Sequence, residues 1–301
     1  MLSRFMDLKF LSVTGKGGVG KTTIAAAIAC AAAAQGKKVL LAEWSSQTQI
    51  GPLFGVSSVV HEEVQVARNV SLINLNPRNC FKEYVVDHLG LKSLYDKVFD
   101  HRLVKSFLEA MPGLAETMLL GRFYYSVVLA PRFDLIIFDA PASGHYLQLL
   151  TTPQAILGAG VVGPLVREVE NIQNFLRAET SSSIYVCIPE PLVISETIDF
   201  VPKIQGKSPL KMSAVLLNRA AVAATDSLSP GQGEAAASHH KVLASYFEHK
   251  VQRESVATGL LHDAQKKELA GIDVLTAPEL GAIEEPLSEM QAGQLLRGTG
   301  A

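Results

Sequence analysis

Three cysteines in 301 residues, Cys30, Cys80 and Cys187, are too few and too far apart for a disulfide framework, and none belongs to a CxxC metal half-site. That absence excludes the small disulfide-braced secreted class and favours the cytosol. An excess of one charge is missing too. The 27 lysines and arginines face 29 aspartates and glutamates, a net charge of −2, so nothing global draws the chain onto nucleic acid or an acidic membrane surface. Long apolar runs are also lacking, and no transmembrane segment is expected. The longest weakly polar stretch, residues 149–166, is broken by Pro153, Gly158, Gly160, Gly163 and Pro164. The opening MLSRFMDLKFLSV passes directly into a glycine loop with no cleavage region, and reads as a first strand. Internal repeats are absent, and a stretch rich in Gly, Ser and Ala at 227–238 reads as a surface loop.

What the chain does have is apolar mass: 48% of its residues are hydrophobic, enough for one large α/β domain with an insertion. Residues 9–14 form a short apolar run before a glycine cluster. Residues 22–35, rich in alanine and isoleucine, have strong helix propensity and end at Gly36, so the order is strand, loop, helix. Residues 39–42 are apolar throughout, as in a parallel strand covered on both faces. Further buried-strand candidates are 70–75, 135–138, 184–188, 213–217 and 272–275, with helical patterns between most of them. The alternation predicts an α/β fold with a doubly wound, mostly parallel sheet and helices on both faces, spanning residues 1–301 as one domain. Two stretches without strand signal, roughly 81–132 and 146–180, predict an inserted helical subdomain.

Residues 15–23 read GKGGVGKTT and meet the pattern GxxxxGK[ST] at Gly15, Gly20, Lys21 and Thr22. Glycines at 15, 17, 18 and 20 let backbone N–H groups of the loop, which includes Val19 and Thr23, curl around phosphate oxygens where side chains would clash. Lys21 can reach the β and γ phosphates, Thr22 can place its hydroxyl on Mg²⁺, and the helix that starts there adds its positive end. The pattern predicts a nucleoside triphosphate site with Mg²⁺ as its metal. The apolar strand in FDLIIFDAPASGH, residues 133–145, ends at Asp139, where a carboxylate can hold Mg²⁺ through water.

Lys16 is not needed to bind phosphate at its own loop. With it, KGGVGKTT resembles the deviant phosphate loop of a class of dimeric ATPases that includes nitrogenase iron protein, the ParA and MinD positioning proteins and the arsenical pump-driving ATPases. In that class the extra lysine reaches the partner subunit's nucleotide, which implies a nucleotide-dependent homodimer with Lys16 in a catalytic role. The segment from Asp139 to His145, with Leu147, Leu149 and Leu150, resembles that of the arsenical pump-driving ATPase family, to which the tail-anchored-protein targeting ATPases belong. Pro189 and Glu190 with Glu196 and Thr197 resemble that family's PE(x)₅ET segment, and Met111, Pro112 and Gly113 with Glu116 its PGxxE turn. Residues 216–219, LLNR, are similar to the strand end whose asparagine reads adenine, which implies Asn218. Residues 276–279, TAPE, are similar to the loop flanking the base, which implies Pro278.

The chain departs from the family after its second strand. Where the family has STDPAHS, this sequence has Glu43, Trp44, Ser45, Ser46, Gln47, Thr48 and Gln49, which puts Ser45 where a water-orienting aspartate is expected. Glu43 is a candidate catalytic group in its stead, or else a turn cap or an indirect Mg²⁺ contact, and Gln47 could also position water. Trp44 reads as a lid, an interface anchor or a core-edge residue, His145 as a loop-fixing residue in preference to a base, and the His239, His240 pair as surface histidines. The family's zinc bridges and arsenite sites need clustered cysteines that this chain lacks.

Three functions are open at this level. One is an ATP-controlled dimer whose helical subdomain handles a protein or hydrophobic client. Phe107, Leu108, Met111, Leu114, Met118, Leu119, Leu120 and residues 124–129 would then supply apolar surface, or else pack the subdomain's own core. The second is a nucleotide-binding scaffold with little turnover, suggested by Ser45. The third, a positioning ATPase acting on DNA or membrane, is opposed by the low net charge and by a C-terminal stretch, 283–301, without a basic amphipathic helix. Lys21→Ala is expected to lower ATP affinity about tenfold or more by calorimetry, the loss of a charge-assisted contact. An affinity within about threefold of wild type would move the site away from residues 15–23.

Overall fold

Strand β1 (Phe10–Gly15) is buried at every position, as a strand with helices over both faces must be. Helix α1 (Lys21–Ala34) follows directly from the glycine loop. Ile24, Ala25, Ala26, Ala27, Ile28 and Ala29 are all buried, and their small side chains let the helix sit close to the sheet. After it come β2 (Val39–Glu43), β3 (Val64–Ala67), β4 (Val70–Asn74) and α2 (Pro77–Glu83). Helix α3 (Leu114–Tyr124) runs into a π-helical turn and leads to β5 (Leu135–Asp139), α4 (Ser143–Gly158) and α5 (Pro164–Arg177). Next in the described residues come β6 (Ser181–Cys187), α6 (Pro191–Lys207), β7 (Met212–Ala220), α7 (Ala236–Gln265) and β8 (Asp273–Pro278). The computed structural model describes residues 5–84, 86, 113–160, 163–220 and 236–279, with the backbone alone at 164 and 236–248.

The eight strands lie in the order β3-β4-β2-β5-β1-β6-β7-β8. Every neighbouring pair is parallel except β3 with β4. The chain builds β2 to β5 on one side of β1 and then crosses to lay β6, β7 and β8 on the other. The strand order therefore reverses at β1, and the crevice beyond its C-terminal end is where an open α/β sheet binds ligands. This is the doubly wound, mostly parallel sheet expected from the sequence.

Strand β3 was not among the expected strands. It has four residues alternating between half-buried and exposed, and it closes on β4 through Arg68 and Asn69, with Asn69 in the left-handed region at φ 65°. Such a short edge strand, without an Asn-Gly or Asp-Gly turn, leaves little hairpin signal. Strand β6 begins three residues before its expected apolar run. Ser181, Ser182 and Ser183 are buried there, and the Ser183 hydroxyl donates to the Lys211 carbonyl at 3.0 Å. Hydrophobicity cannot reveal a strand start made of serines.

Helices α3, α4 and α5, drawn from the two stretches without strand signal, pack on one another. They also share the core of the sheet. The ring of Phe123 lies 5.1 Å from that of Phe10 and 5.0 Å from that of Phe138, and Phe175 lies 5.5 Å from Phe10. Of the apolar residues considered for a client surface, Leu114, Met118, Leu119 and Leu120 are buried in this core, whereas Val128 and Leu129 are exposed. Their neighbours on α5 and the sheet are apolar, so burial in place stabilises them more than exposure would. Phe107, Leu108, Met111 and Pro112 lie outside the described residues, as do 227–235 of the expected surface loop, the C-terminal stretch 283–301 and the side chains of His239 and His240, while 236–238 of that loop instead open α7. Among the described residues, no helix is long and apolar enough to cross a membrane.

Phe123 is 1% exposed and joins two strands to α3 through its ring contacts. Phe123→Ala is expected to cost about 3–5 kcal/mol in denaturant unfolding, as large aromatic truncations in cores do. A loss below about 1 kcal/mol would mean that α3 does not share the sheet's core.

Candidate functional site

The glycine loop leaves the sheet where β1 is wedged between β5 and β6. Gly15 has φ 148°, and a Cβ there would lie 2.2 Å from the Val186 carbonyl oxygen on β6, so no other residue fits. Gly20 is left-handed at φ 90°, and a Cβ on it would meet the Asn218 amide nitrogen at 2.5 Å. At Gly17 and Gly18 a Cβ would meet nothing within 4 Å, so the loop opens there onto free space of a kind a ligand can enter. Helix α1 starts at Lys21 with no side-chain cap and no acidic residue in its first turn. Its first N–H groups and the positive end of its dipole are left for an anion.

Two neighbouring strands bring carboxylates to this edge. Asp139 at the end of β5 stands in register with Glu43 at the end of β2 and with Val13 of β1. The Thr22 hydroxyl donates to Asp139 Oδ2 at 2.7 Å, while Asp139 Oδ1 is buried and without a hydrogen-bond partner. Burial, opposed by the Thr22 hydrogen bond and the nearby Lys21 charge and reinforced by Glu43, pushes the Asp139 carboxyl up to about 6. Burial also lowers the pKa of Lys21, against the attraction of Asp139. Lys21 Nζ donates to the Lys16 carbonyl at 3.2 Å, which folds it back along its own loop. A buried carboxylate oxygen with no partner, beside a threonine hydroxyl, is a donor set that suits a hard cation such as Mg²⁺, held by oxygen and water. The residues present fit that ion.

Glu43 is 1% exposed, and both its oxygens are engaged. Oε1 accepts from the Thr48 hydroxyl at 2.5 Å, and Oε2 accepts from the N–H groups of Gln49 and Ile50 at 2.8 and 3.3 Å. Of the readings of Glu43, this geometry supports the turn cap: its lone pairs hold residues 48–50. Ser45 is pinned as well. Its N–H donates to Asn74 Oδ1 at 3.2 Å, Asn74 Nδ2 donates to its carbonyl at 3.1 Å, and its own hydroxyl donates to the Gln47 carbonyl at 2.6 Å. Trp44 is half-buried against the core edge, and His145 is exposed in the first turn of α4.

The far side of the loop is supported from β7. The register of β7 against β8 shifts between Leu217 and Ala220, and Arg219 sits at φ 57° within that irregularity. Adjacent strand residues ordinarily point to opposite faces, and a bulge of this kind re-aims them. Here both reach the glycine loop: Asn218 Nδ2 donates to the Val19 carbonyl at 2.8 Å, and Arg219 to the Gly18 carbonyl at 3.2 Å. Asn218 is 4% exposed, while Pro278 ends β8 in register with Ala220 at the same edge of the sheet. A cavity of about 230 Å³ lies close by, lined among others by Pro189, Arg219, Arg253 and Glu279. Sequence reading did not single out Arg219, Asn74 or Thr48. A bulge and two side-chain caps leave no periodic signal.

The three cysteines are all buried. Burial raises the thiol pKa of Cys80 and pushes that of Cys187 up to about 12. Neutral buried thiols are poor soft-metal ligands.

A family model described as anion-transporting ATPase matches residues 8–162. The chain is 28% identical over 295 residues to ATPase BagA of Mycobacterium tuberculosis, an alignment covering 95% of this chain and 81% of that protein. It is 30% identical over 173 residues to an arsenical pump-driving ATPase of Escherichia coli, covering 52% of this chain and 29% of the relative. A third relative, ATPase ASNA1 homolog 1 of Paramecium tetraurelia, is 30% identical over 172 residues, covering 56% and 50% respectively.

The strain at Asp139 can be measured without any ligand. Its folded pKa of about 6 lies above the ordinary 3.8, so the folded protein holds this proton more tightly than the unfolded chain does. The stability this contributes is full below the unfolded value and lost as pH rises through the folded one. Asp139→Asn is therefore expected to raise unfolding stability by about 1–2 kcal/mol near pH ~8 and not at all near pH ~4, read by denaturant titration at both. A variant less stable than wild type at the higher pH would show that the carboxylate is well satisfied in the apo protein.

Proposed function

Since the chain belongs to the anion-transporting ATPase family, whose model matches more than half of it, we propose that it is an ATP- and Mg²⁺-binding switch that works as a nucleotide-dependent homodimer. Its function is of the ATPase type. The observation that carries the finer reading is the buried, unpartnered oxygen of Asp139 beside Thr22, at the open end of a glycine loop.

In this reading the loop N–H groups and the start of α1 receive the phosphates, and Lys21 turns from the Lys16 carbonyl to the β and γ oxygens. Thr22 and Asp139 hold Mg²⁺, directly and through water. The ion, when bound, neutralises charge on the phosphates and polarises the γ-phosphoryl group. Asn218 and Pro278 flank the adenine, with Asn218 already tying the loop to β7. Lys16 serves a second subunit: Lys21, Thr22 and the backbone cover the phosphates in cis, so another loop cation is most useful where another triphosphate lies. A cation that arrives only on assembly makes hydrolysis depend on dimer formation.

A second reading, a nucleotide-binding scaffold with little turnover, is favoured by one observation. Glu43 and Ser45 both spend their hydrogen-bonding groups on the loop after β2, which leaves neither free to orient water. Slow hydrolysis follows in either reading. Coupling to a protein or hydrophobic client and a cytoplasmic setting remain part of the proposal on the strength of the family. The arsenical chemistry in one relative's name is not carried over, because the three thiols here are buried and dispersed.

Lys16→Ala is expected to leave ATP affinity within about threefold of wild type by calorimetry. The same variant should stay monomeric with ATP and Mg²⁺ by light scattering, under conditions in which wild type doubles its mass, and should lose any hydrolysis that wild type shows. A variant that dimerises and hydrolyses as wild type does would make Lys16 an ordinary loop lysine.

A further inference from the structure

Lys16 already has a partner inside its own subunit. Its Nζ lies 2.7 Å from each carboxylate oxygen of Glu196, a residue 180 positions later on α6. The two sides of this pair differ in freedom. Glu196 rides on a helix that packs against α4, α7 and β6, next to Thr197, which is buried and donates to the Val193 carbonyl at 2.7 Å. Lys16, by contrast, stands between Gly15 and Gly17 in a loop whose outer face meets open space. A fixed carboxylate thus holds a movable ammonium.

The pair is also shallow. Its side chains are 42% and 44% exposed, so water screens the attraction and opening it is easy. A triphosphate carries several negative charges and can out-compete a single half-exposed carboxylate. We propose that Glu196 is the positioning residue of Lys16, parking its ammonium within one subunit until a second subunit's triphosphate offers a stronger anion. The inference deepens the reading that Lys16 acts across a dimer and rests on it. It adds what that reading lacks: a defined resting place for the lysine, and a toll on assembly that Lys16 must pay by leaving Glu196.

The test uses the full-length chain as wild type, Glu196→Gln, Glu196→Asp, Lys16→Ala and the Lys16→Ala/Glu196→Gln double variant. Calorimetry gives ATP affinity, and light scattering gives the protein concentration of half-association with ATP and Mg²⁺. Glu196→Gln is expected to leave ATP affinity unchanged and to lower that concentration about twofold to thirtyfold, the range spanned by two exposed ion pairs, one from each subunit. Glu196→Asp, which keeps the charge, should return it toward wild type. The gain should vanish when Lys16 is absent. If Glu196→Gln associates no more readily than wild type while Lys16→Ala abolishes association, the parking role is overturned and the trans role of Lys16 stands. A Glu196→Gln gain that persists in the double variant also overturns it, because the carboxylate then acts without Lys16. If Lys16→Ala alone associates like wild type, the trans role falls and the parking role falls with it.

Discussion

A Cβ at position 15 would sit 2.2 Å from the Val186 carbonyl oxygen, and that contact decides where the glycine loop leaves the sheet. Strand β1 lies between two parallel neighbours, so its end can turn only outward, over the open edge of the sheet. The close approach of β6 forces the turn to begin at a glycine. Everything in the site is then placed relative to this exit: α1 starts five residues after Lys16, Asp139 ends the strand on one side, and Asn218 closes in from beyond β6 on the other. A shift of β6 by even part of an ångström would move the cradle against all three, since packed interiors transmit displacement and do not absorb it.

The site carries a cost that the rest of the fold covers. A buried carboxylate with one oxygen unpartnered, near a second buried carboxylate, is unfavourable in the empty protein. The core around it is continuous and well filled, from the aromatic group at Phe10, Phe123, Phe138 and Phe175 to the alanines of α1. Packing of that extent keeps the unsatisfied group in place, where a looser scaffold would let it turn to water. Strain of this kind gathers where a ligand is to relieve it.

The charged groups around the loop are held at rest in different ways. Glu43 is locked by three hydrogen bonds in a position with almost no access to water, and it serves as a structural pin for the loop after β2. Lys16 is held by a single carboxylate at a half-exposed position and can be released at small cost. Lys21 is folded back on its own loop. The depth of each contact sorts these groups into those that set the shape of the site and those that can move when a nucleotide arrives.

Runs of buried apolar residues and a loop pattern of four fixed positions are local properties, and they were legible in the amino-acid order. They were enough for the parallel sheet, for the strand and helix on either side of residues 15–23, and for Asp139 at a strand end. A four-residue edge strand and a strand opening with three serines were not legible, because neither carries enough apolar contrast to show a period. The state of each site residue was hidden for a different reason. Whether Glu43 is a base or a cap depends on Thr48, Gln49 and Ile50 folding back over it, and whether Lys16 is free depends on a carboxylate 180 positions away. The sequence by itself determined which chemical groups stand at the open edge of the sheet, since motif and strand ends are written within a few residues of one another. Only the tertiary structure decided which of those groups are already engaged, because hydrogen bonds and ion pairs form through space between segments whose separation along the chain says nothing about their distance.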